Sequence, residues 1–294
     1  EDPKIDRSLE EAEPRRKPVL SLYGEHWWDN EDRKGTEYGL GADVPVGEAW
    51  RARGLAEYEL WEREGIEDVE GWRFGLGAQW TWGPGRTIDG RIWRLQMDGP
   101  DDITGGDIAL HVPNPLWSGH LEPFGEWREE ETVEAVRANI TDDVYGLRTY
   151  SRVADLVDVF ANGWIVDRSD DNTTRMLDAR ATVRVREWPH VALGYRLRLG
   201  DSDFDPPEYW APELLRQHQF YANLRGKQGW LGWSLSGEAG EAKERNTDWR
   251  FVWGARAAGE VNLRGGWGLS GGWTYFEGPI YNRHLIFGLI FVRL

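Results

Sequence analysis

The chain has no cysteine and only 2 methionines in 294 residues. Without cysteine, neither a disulfide nor a thiolate metal site can form. No run reaches the roughly 18 apolar residues of a membrane helix, and mean hydropathy is negative. This excludes helical spans but not a β-barrel, where only alternate residues meet lipid. Net positive charge is also missing. The formal charge is −16, which argues against nucleic acid as a partner. No signal peptide is legible, so a mature or shortened chain is expected.

Tryptophan, in contrast, is abundant at 19 residues, and aromatic girdles at two membrane interfaces account for such a surplus. Apolar residues recur by twos over long segments. Phe251, Trp253, Ala255, Ala257, Gly259, Val261 and Leu263 share one face of residues 249–263, against Arg250, Val252, Gly254, Arg256 and Glu260. In 70–82, Trp72, Phe74, Leu76, Ala78, Trp80 and Trp82 oppose Arg73, Gly75, Gly77, Gln79 and Thr81. The same period runs through 49–62, 174–187, 191–199 and 267–275, and Leu285, Phe287, Leu289 and Phe291 mark an apolar terminal strand. A soluble sandwich or propeller also alternates, but its strands usually run about five or six residues. Long strands with aromatic-ended faces of small residues predict an all-β transmembrane antiparallel up-and-down barrel in the bacterial outer membrane.

Residues 1–18 are charged and proline-bearing, and read as a periplasmic linker or disordered N-terminus ahead of a barrel over 19–294. Short connections are expected near 45–47, 83–86, 187–190, 226–228 and 263–266. Long acidic ones are expected near 29–35, 62–69, 98–105, 167–173, 200–214, 239–247 and 277–283. Residues 131–138 read as a strand. Residues 139–154 read either as a strand or as a helical connection on the periplasmic side. Taking them as a connection leaves eight strands on each side, about sixteen in all.

The phasing places Arg51, Arg53, Arg73, Arg180, Arg184, Arg186, Arg196, Arg198, Arg225, Arg250 and Arg256 in the lumen, with Glu57, Glu59, Asp178 and Glu260. Guanidinium groups offer several donors at once and would pass anions or polar sugars. The same residues also suit Arg–carboxylate ladders that hold the wall and pass nothing. Arginine in excess over carboxylate favours the first role. The acidic outer loops suit solvated charge, or contact with lipopolysaccharide phosphates through divalent cations.

From about Leu121 onward the chain resembles the C-terminal barrels of bacterial exopolysaccharide exporters of the poly-N-acetylglucosamine and cellulose type. Ser169-Asp170-Asp171-Asn172 is similar to a Ser-Asp-Gly-Asn loop of that family, with Asp171 in place of glycine. Tyr209-Trp210-Ala211-Pro212-Glu213 resembles its Tyr-aromatic-Ser/Asp-Pro motif, with Ala211 departing. The closing glycine- and aromatic-rich strands complete the likeness, while residues 1–120 share only the pattern. The resemblance implies outward passage of a polysaccharide, often behind a periplasmic helical-repeat domain or partner. Asp170, Asp171 and Asn172 read as loop contacts or as a turn. Tyr209 and Trp210 read as sugar-stacking or girdle residues.

No enzyme motif is legible around His26, His111, His120, His190, His218 or His284. His218, between Gln217 and Gln219, is the strongest candidate for an outer-membrane lipid-modifying enzyme. No cofactor and no metal site are expected, since no tight ligand cluster is present. Export of an exopolysaccharide is therefore the first expectation. A general or anion-preferring diffusion porin is the second, and the lipid enzyme the third.

Overall fold

Inside a bilayer, backbone N–H and C=O groups have no water to bond, so a sheet can span only if its edges meet. They meet here. The computed structural model describes residues 17–130, 132–153, 156–206, 208–245, 247–278 and 282–294. Most of the expected linker and part of the 277–283 connection lie outside them. The strands are β1 (Val19–Asp29), β2 (Arg33–Val46), β3 (Trp50–Arg63), β4 (Ile66–Gly83), β5 (Arg86–Met97), β6 (Ile103–Pro113), β7 (Ser118–Glu129) and β8 (Thr141–Val153). Then follow β9 (Val157–Arg168), β10 (Thr173–Glu187), β11 (His190–Ser202), β12 (Leu215–Gln228), β13 (Leu231–Lys243), β14 (Arg250–Asn262), β15 (Trp267–Glu277) and β16 (Asn282–Arg293). Each pairs antiparallel with its neighbours in sequence, and β1 closes on β16 from Val19 opposite Arg293 to Asp29 opposite Arg283.

The outward face is apolar where the alternation requires it. In β4, Trp72, Phe74, Leu76 and Trp80 are exposed while Arg73, Gly75, Gly77 and Gln79 turn inward. Leu76 is 71% exposed and Phe220 70%, values suited to lipid rather than water. Tryptophans ring the end that carries the short turns. Trp50 stacks on Trp80 with centroids 5.7 Å apart, and Trp117, Trp188, Trp230 and Trp267 are exposed at the same end. At the other end, outward Tyr38, Tyr58 and Trp72 form a second aromatic group. Two belts and an apolar band between them make this a membrane-spanning barrel of the outer-membrane type.

The strand total agrees with the alternation, but one strand stands in a different place. Residues 141–153 form β8, and the only α-helix among the described residues, α1 (Val133–Arg137), occupies the segment expected as a strand. The outward side of β8 includes Asp143, Thr149 and Ser151, so it shows no clean apolar face. Val133 and Val136, three residues apart, share one face of a helix and would fall on opposite faces of a strand. Thr132 decides for helix, its Oγ accepting from the Ala135 amide at 3.3 Å. The helix lies at the end with the longer loops, not at the periplasmic end. Several expected long loops are tight turns: residues 30–32 join β1 to β2, and 64–65 join β3 to β4. Asp29 and Glu62, beside these turns, are paired in the ladder with Arg283 and Lys34.

The terminal strand has two apolar faces. Phe287 pairs with Glu25 and Gly272, and Leu289 with Tyr23, all of the inward register. Leu285, Phe287, Leu289 and Phe291 therefore face the lumen, while Ile286 and Ile290 are exposed outward. The native absence of cysteine allows a direct check. In vesicle-embedded protein, Leu285→Cys and Phe287→Cys are expected to react with a charged, water-soluble thiol reagent, and Ile286→Cys and Ile290→Cys are not. The opposite pattern would show that β16 is shifted by one residue.

Candidate functional site: the lumen wall and the outer mouth

Inward alternation brings the expected arginines to one wall but gives most of them carboxylate partners. Arg51 donates to Asp43 at 2.8 Å, and Arg53 contacts Asp43 and Asp89. Arg73 lies among Glu57 (3.6 Å), Glu59 (2.8 Å) and Glu129. Asp178 receives both Arg180 (3.0 Å) and Arg196 (2.7 Å), and Arg196 also reaches Glu238 at 3.1 Å. Arg184 lies 3.5 Å from Asp158. Arg198 stands across from Asp178 on the ladder. Arg225 and Arg250 share the inward register at the two rims and are exposed there. Arg256 also faces inward, beside Phe287.

Arg186 does not join this set. The ladder shifts between Arg184 and Arg186, so Arg184 opposes inward Ala192 while Arg186 opposes outward Val191. One extra residue in the strand moves everything after it to the other face. The arginine excess also disappears for Arg51, Arg53, Arg73, Arg184 and Arg196. Asp43, Asp89, Glu129, Asp158 and Glu238, on other strands, supply charges that counting within one strand misses. The wall is largely an ion-pair ladder, crossing between strands in a low-dielectric shell where unpaired charge is costly.

The outer mouth is covered by two loops. α1 packs Val133 and Val136 on inward Trp61, Val69 and Leu95 of β3 to β5. Its Glu134 pairs with Arg63, and Arg137 reaches Glu67 at 3.0 Å. On the other side, Ala135 and Ile140 pack against Tyr209 and Ala211 of the 203–214 loop, and Thr132 Oγ donates to the Glu208 carbonyl. That loop is tied to the β9–β10 turn. Tyr209 Oη donates to Asp170 at 2.6 Å and accepts from Asn172 Nδ2 at 2.9 Å. Asn172 also donates to the Phe204 carbonyl at 3.0 Å. Arg168 lies over the Tyr209 ring at 4.4 Å and bonds Glu130, Asp142 and Thr174. Trp210 donates to Glu244 at 3.4 Å.

The two exporter-like motifs thus bond to one another. Tyr209 is 2% exposed and Asn172 fully buried, so both are anchors between loops and not open sugar contacts. Asp171 has a φ of 67°. The left-handed backbone explains why glycine suits that place and why an aspartate is tolerated. Burial first, and then the bond to Asp170, raises the Tyr209 hydroxyl, which keeps it a donor. Burial likewise raises the Glu244 carboxyl, against the Trp210 bond, and that of Asp205, helped by Glu213. Such groups hold the packed loops best when protonated; their contribution is complete below the ordinary carboxylate range and fades as pH rises through the raised values.

Sequence reasoning placed Glu57, Glu59 and Asp178 inward but missed Arg168, the inward carboxylates Asp43, Asp89, Glu129, Asp158 and Glu238, and the lumen aromatics. Strand-to-strand parity, once one inward residue per strand is known, would have found them. His218 lies on the outward face at the outer end, against Tyr195 and Trp249 and 3.9 Å from Glu241. A serine is not among these contacts.

A closed sixteen-strand barrel with a charged inner wall and loops packed at its outer mouth has the architecture of an outer-membrane β-barrel. Known structures agree at the level of the fold. A structure described as a bacterial polysaccharide outer membrane secretin superposes with a TM-score of 0.71 at 13% identity, covering 96% of this chain and 100% of the other. A BenF-like porin from Pseudomonas fluorescens Pf-5 gives 0.51 at 8% identity, covering 95% and 98%. OccK11 (OpdR) of Pseudomonas aeruginosa gives 0.50 at 11%, covering 95% and 96%. No family model matches the chain, and no curated protein matches it by sequence.

Two substitutions separate the wall from the mouth. Arg73→Met leaves Glu59 and Glu129 without their shared counter-charge and is expected to destabilise the barrel by about 3–5 kcal/mol, read from denaturant unfolding in lipid. Tyr209→Phe keeps the ring but loses two buried hydrogen bonds. It is expected to cost about 1–3 kcal/mol locally and to expose 203–214 to protease while the barrel stays folded. A protease-resistant Tyr209→Phe loop would contradict the anchoring role.

Proposed function

We propose that this barrel conducts an exopolysaccharide outward across the outer membrane. The contact between 169–172 and 209–213 carries this reading. These are the two loop motifs that resemble polysaccharide exporters, and they form one bonded unit at the exit. A diffusion porin has no evident need for that unit. The likeness in fold to a polysaccharide outer membrane secretin adds support, and the inner wall of guanidinium, carboxylate and hydroxyl groups suits a hydrated polymer. A periplasmic helical-repeat domain or partner, and lipopolysaccharide at the acidic outer rim, belong to the same proposal.

The second reading is a diffusion porin, favoured by the porin-like architecture and the fixed charges of the wall. The two readings part in planar bilayers. A porin gives a large, steady conductance with the native loops. A loop-covered exporter is expected to stay nearly closed and to open when Tyr209→Phe frees the mouth. In the bacterium that carries it, loss of the chain is expected to trap polymer in the periplasm, with secretion restored by the wild type. Unchanged polymer secretion would refute the export reading.

A further inference from the structure

The lipid-facing surface changes at the outer ends of β12 and β13. Nearer mid-membrane it is plainly apolar: Phe220 is 70% exposed and Phe251 64%. Arg216 lies four residues from Phe220 on β12 and so shares its outward face. Lys243, the last residue of β13, stands directly opposite Arg216 in the ladder. Both side chains therefore leave the wall on the lipid side, at the outer end of their strands. Directly opposed residues have Cα atoms about 4.5–5.5 Å apart, and two like charges at that spacing repel.

The nearby carboxylates have other neighbours. Glu241 lies 3.9 Å from the His218 imidazole. Glu213 pairs with Arg245 at 2.6 Å, and Asp203 with Arg175 at 3.2 Å. Asp201 accepts from the Leu214 amide at 3.2 Å and stands opposite Arg175. Among the described residues no carboxylate pairs with Arg216 or Lys243. Arg216 is exposed, with Leu199 of β11 opposite it on the other side. Lys243 is half-buried, and its Nζ lies over the Trp249 ring at 5.8 Å. The His218 ring meets Trp249 edge-on at 5.3 Å. The indole thus holds the ammonium in place beside Arg216.

We propose that Arg216 and Lys243 clamp one phosphate of a phosphorylated glycolipid of the outer leaflet, the lipid A part of lipopolysaccharide, whose acyl chains run over Phe220, Phe251 and Leu199. An anion between the two cations replaces their repulsion with two attractions. The guanidinium offers the phosphate two parallel hydrogen bonds, and the ammonium adds a point charge. A cationic pair directly above an apolar wall suits an amphiphile better than a free ion. Nothing in the lumen reaches either group. At the acidic rim a phosphate needs a bridging divalent cation, whereas here the protein supplies the positive charge itself. The clamp does not depend on the export reading.

Fluorescence titration of the full barrel in detergent, with EDTA present, tests this with three lipids: bisphosphorylated lipid A, the same lipid A freed of phosphate, and phosphatidylglycerol. The wild type is expected to bind the bisphosphorylated form about tenfold more tightly than either of the others. Arg216→Gln and Lys243→Gln should each weaken it about three- to tenfold, the scale of one charge-assisted contact at a partly exposed site. Arg175→Gln removes a charge of the same sign at the same end of the outward face and should leave affinity unchanged. Heat-modifiable gel migration verifies that each variant is folded. An equal loss in Arg175→Gln would assign binding to general charge and overturn the clamp. So would wild-type affinity in both Arg216→Gln and Lys243→Gln, or equal binding of phosphate-free lipid A or of phosphatidylglycerol. Binding seen only without EDTA would also overturn it, and would belong to the acidic rim. Polymer secretion judges the export reading separately, so either idea can fail alone.

Discussion

Everything in this molecule depends on closing the hydrogen-bond ladder of a sheet that spans lipid. An open edge would leave a row of amide and carbonyl groups in hydrocarbon, at several kcal/mol for each unsatisfied group. Pairing of β1 with β16 removes the edge and brings Val19 beside Arg293. Closure then separates two environments. Outward positions must be apolar, and inward positions are released from that demand. The arginines and carboxylates of the wall are possible only because the outer face carries residues such as Leu76, Ile92 and Phe220.

The lumen solves its own electrostatic problem by pairing across strands. Arg73 alone touches carboxylates from β3 and from the end of β7, and Asp178 joins β10 to β11. These bonds tie strands together from the inside, while the lipid holds them from the outside. At the mouth, a chain of contacts runs from β3–β5 through α1 to the 203–214 loop and the β9–β10 turn. Its buried bonds are few, and the ring and hydroxyl of Tyr209 sit at their centre. Where β15, β16 and β1 meet, rings packed against glycine share the wall with Glu25 and Asp29, and arginines lie over the rings.

Much of this was legible in the residues. The alternation of Trp72 to Trp82 against Arg73 to Gln79 gave the facing of β4, and the same reasoning held for β3, β14 and β15. It failed where local pattern and register part. A single added residue turned Arg186 outward. The mixed outer face of β8 hid a strand, and α1, at 5 residues, is too short to display a helical period. Leu285 to Phe291 read as an apolar strand, yet its lumen side is known only from its partners, because both of its faces are apolar. The loop motifs were visible, but their roles were not. Tyr209 and Asn172 looked like sugar contacts until burial made them anchors.

By itself, then, the sequence determined the architecture. Period-two hydrophobicity over long segments, many tryptophans and no apolar helix admit a lipid-facing barrel because each signal is local to one strand. What the site is made of was decided only by tertiary structure. The partners of Arg53, Arg73 and Arg196 come from other strands, the two loop motifs meet across 37 to 39 residues, and Arg256 meets Phe287 across β15. Such contacts are set by register and closure. Those are properties of the whole sheet, and no single stretch of chain contains them.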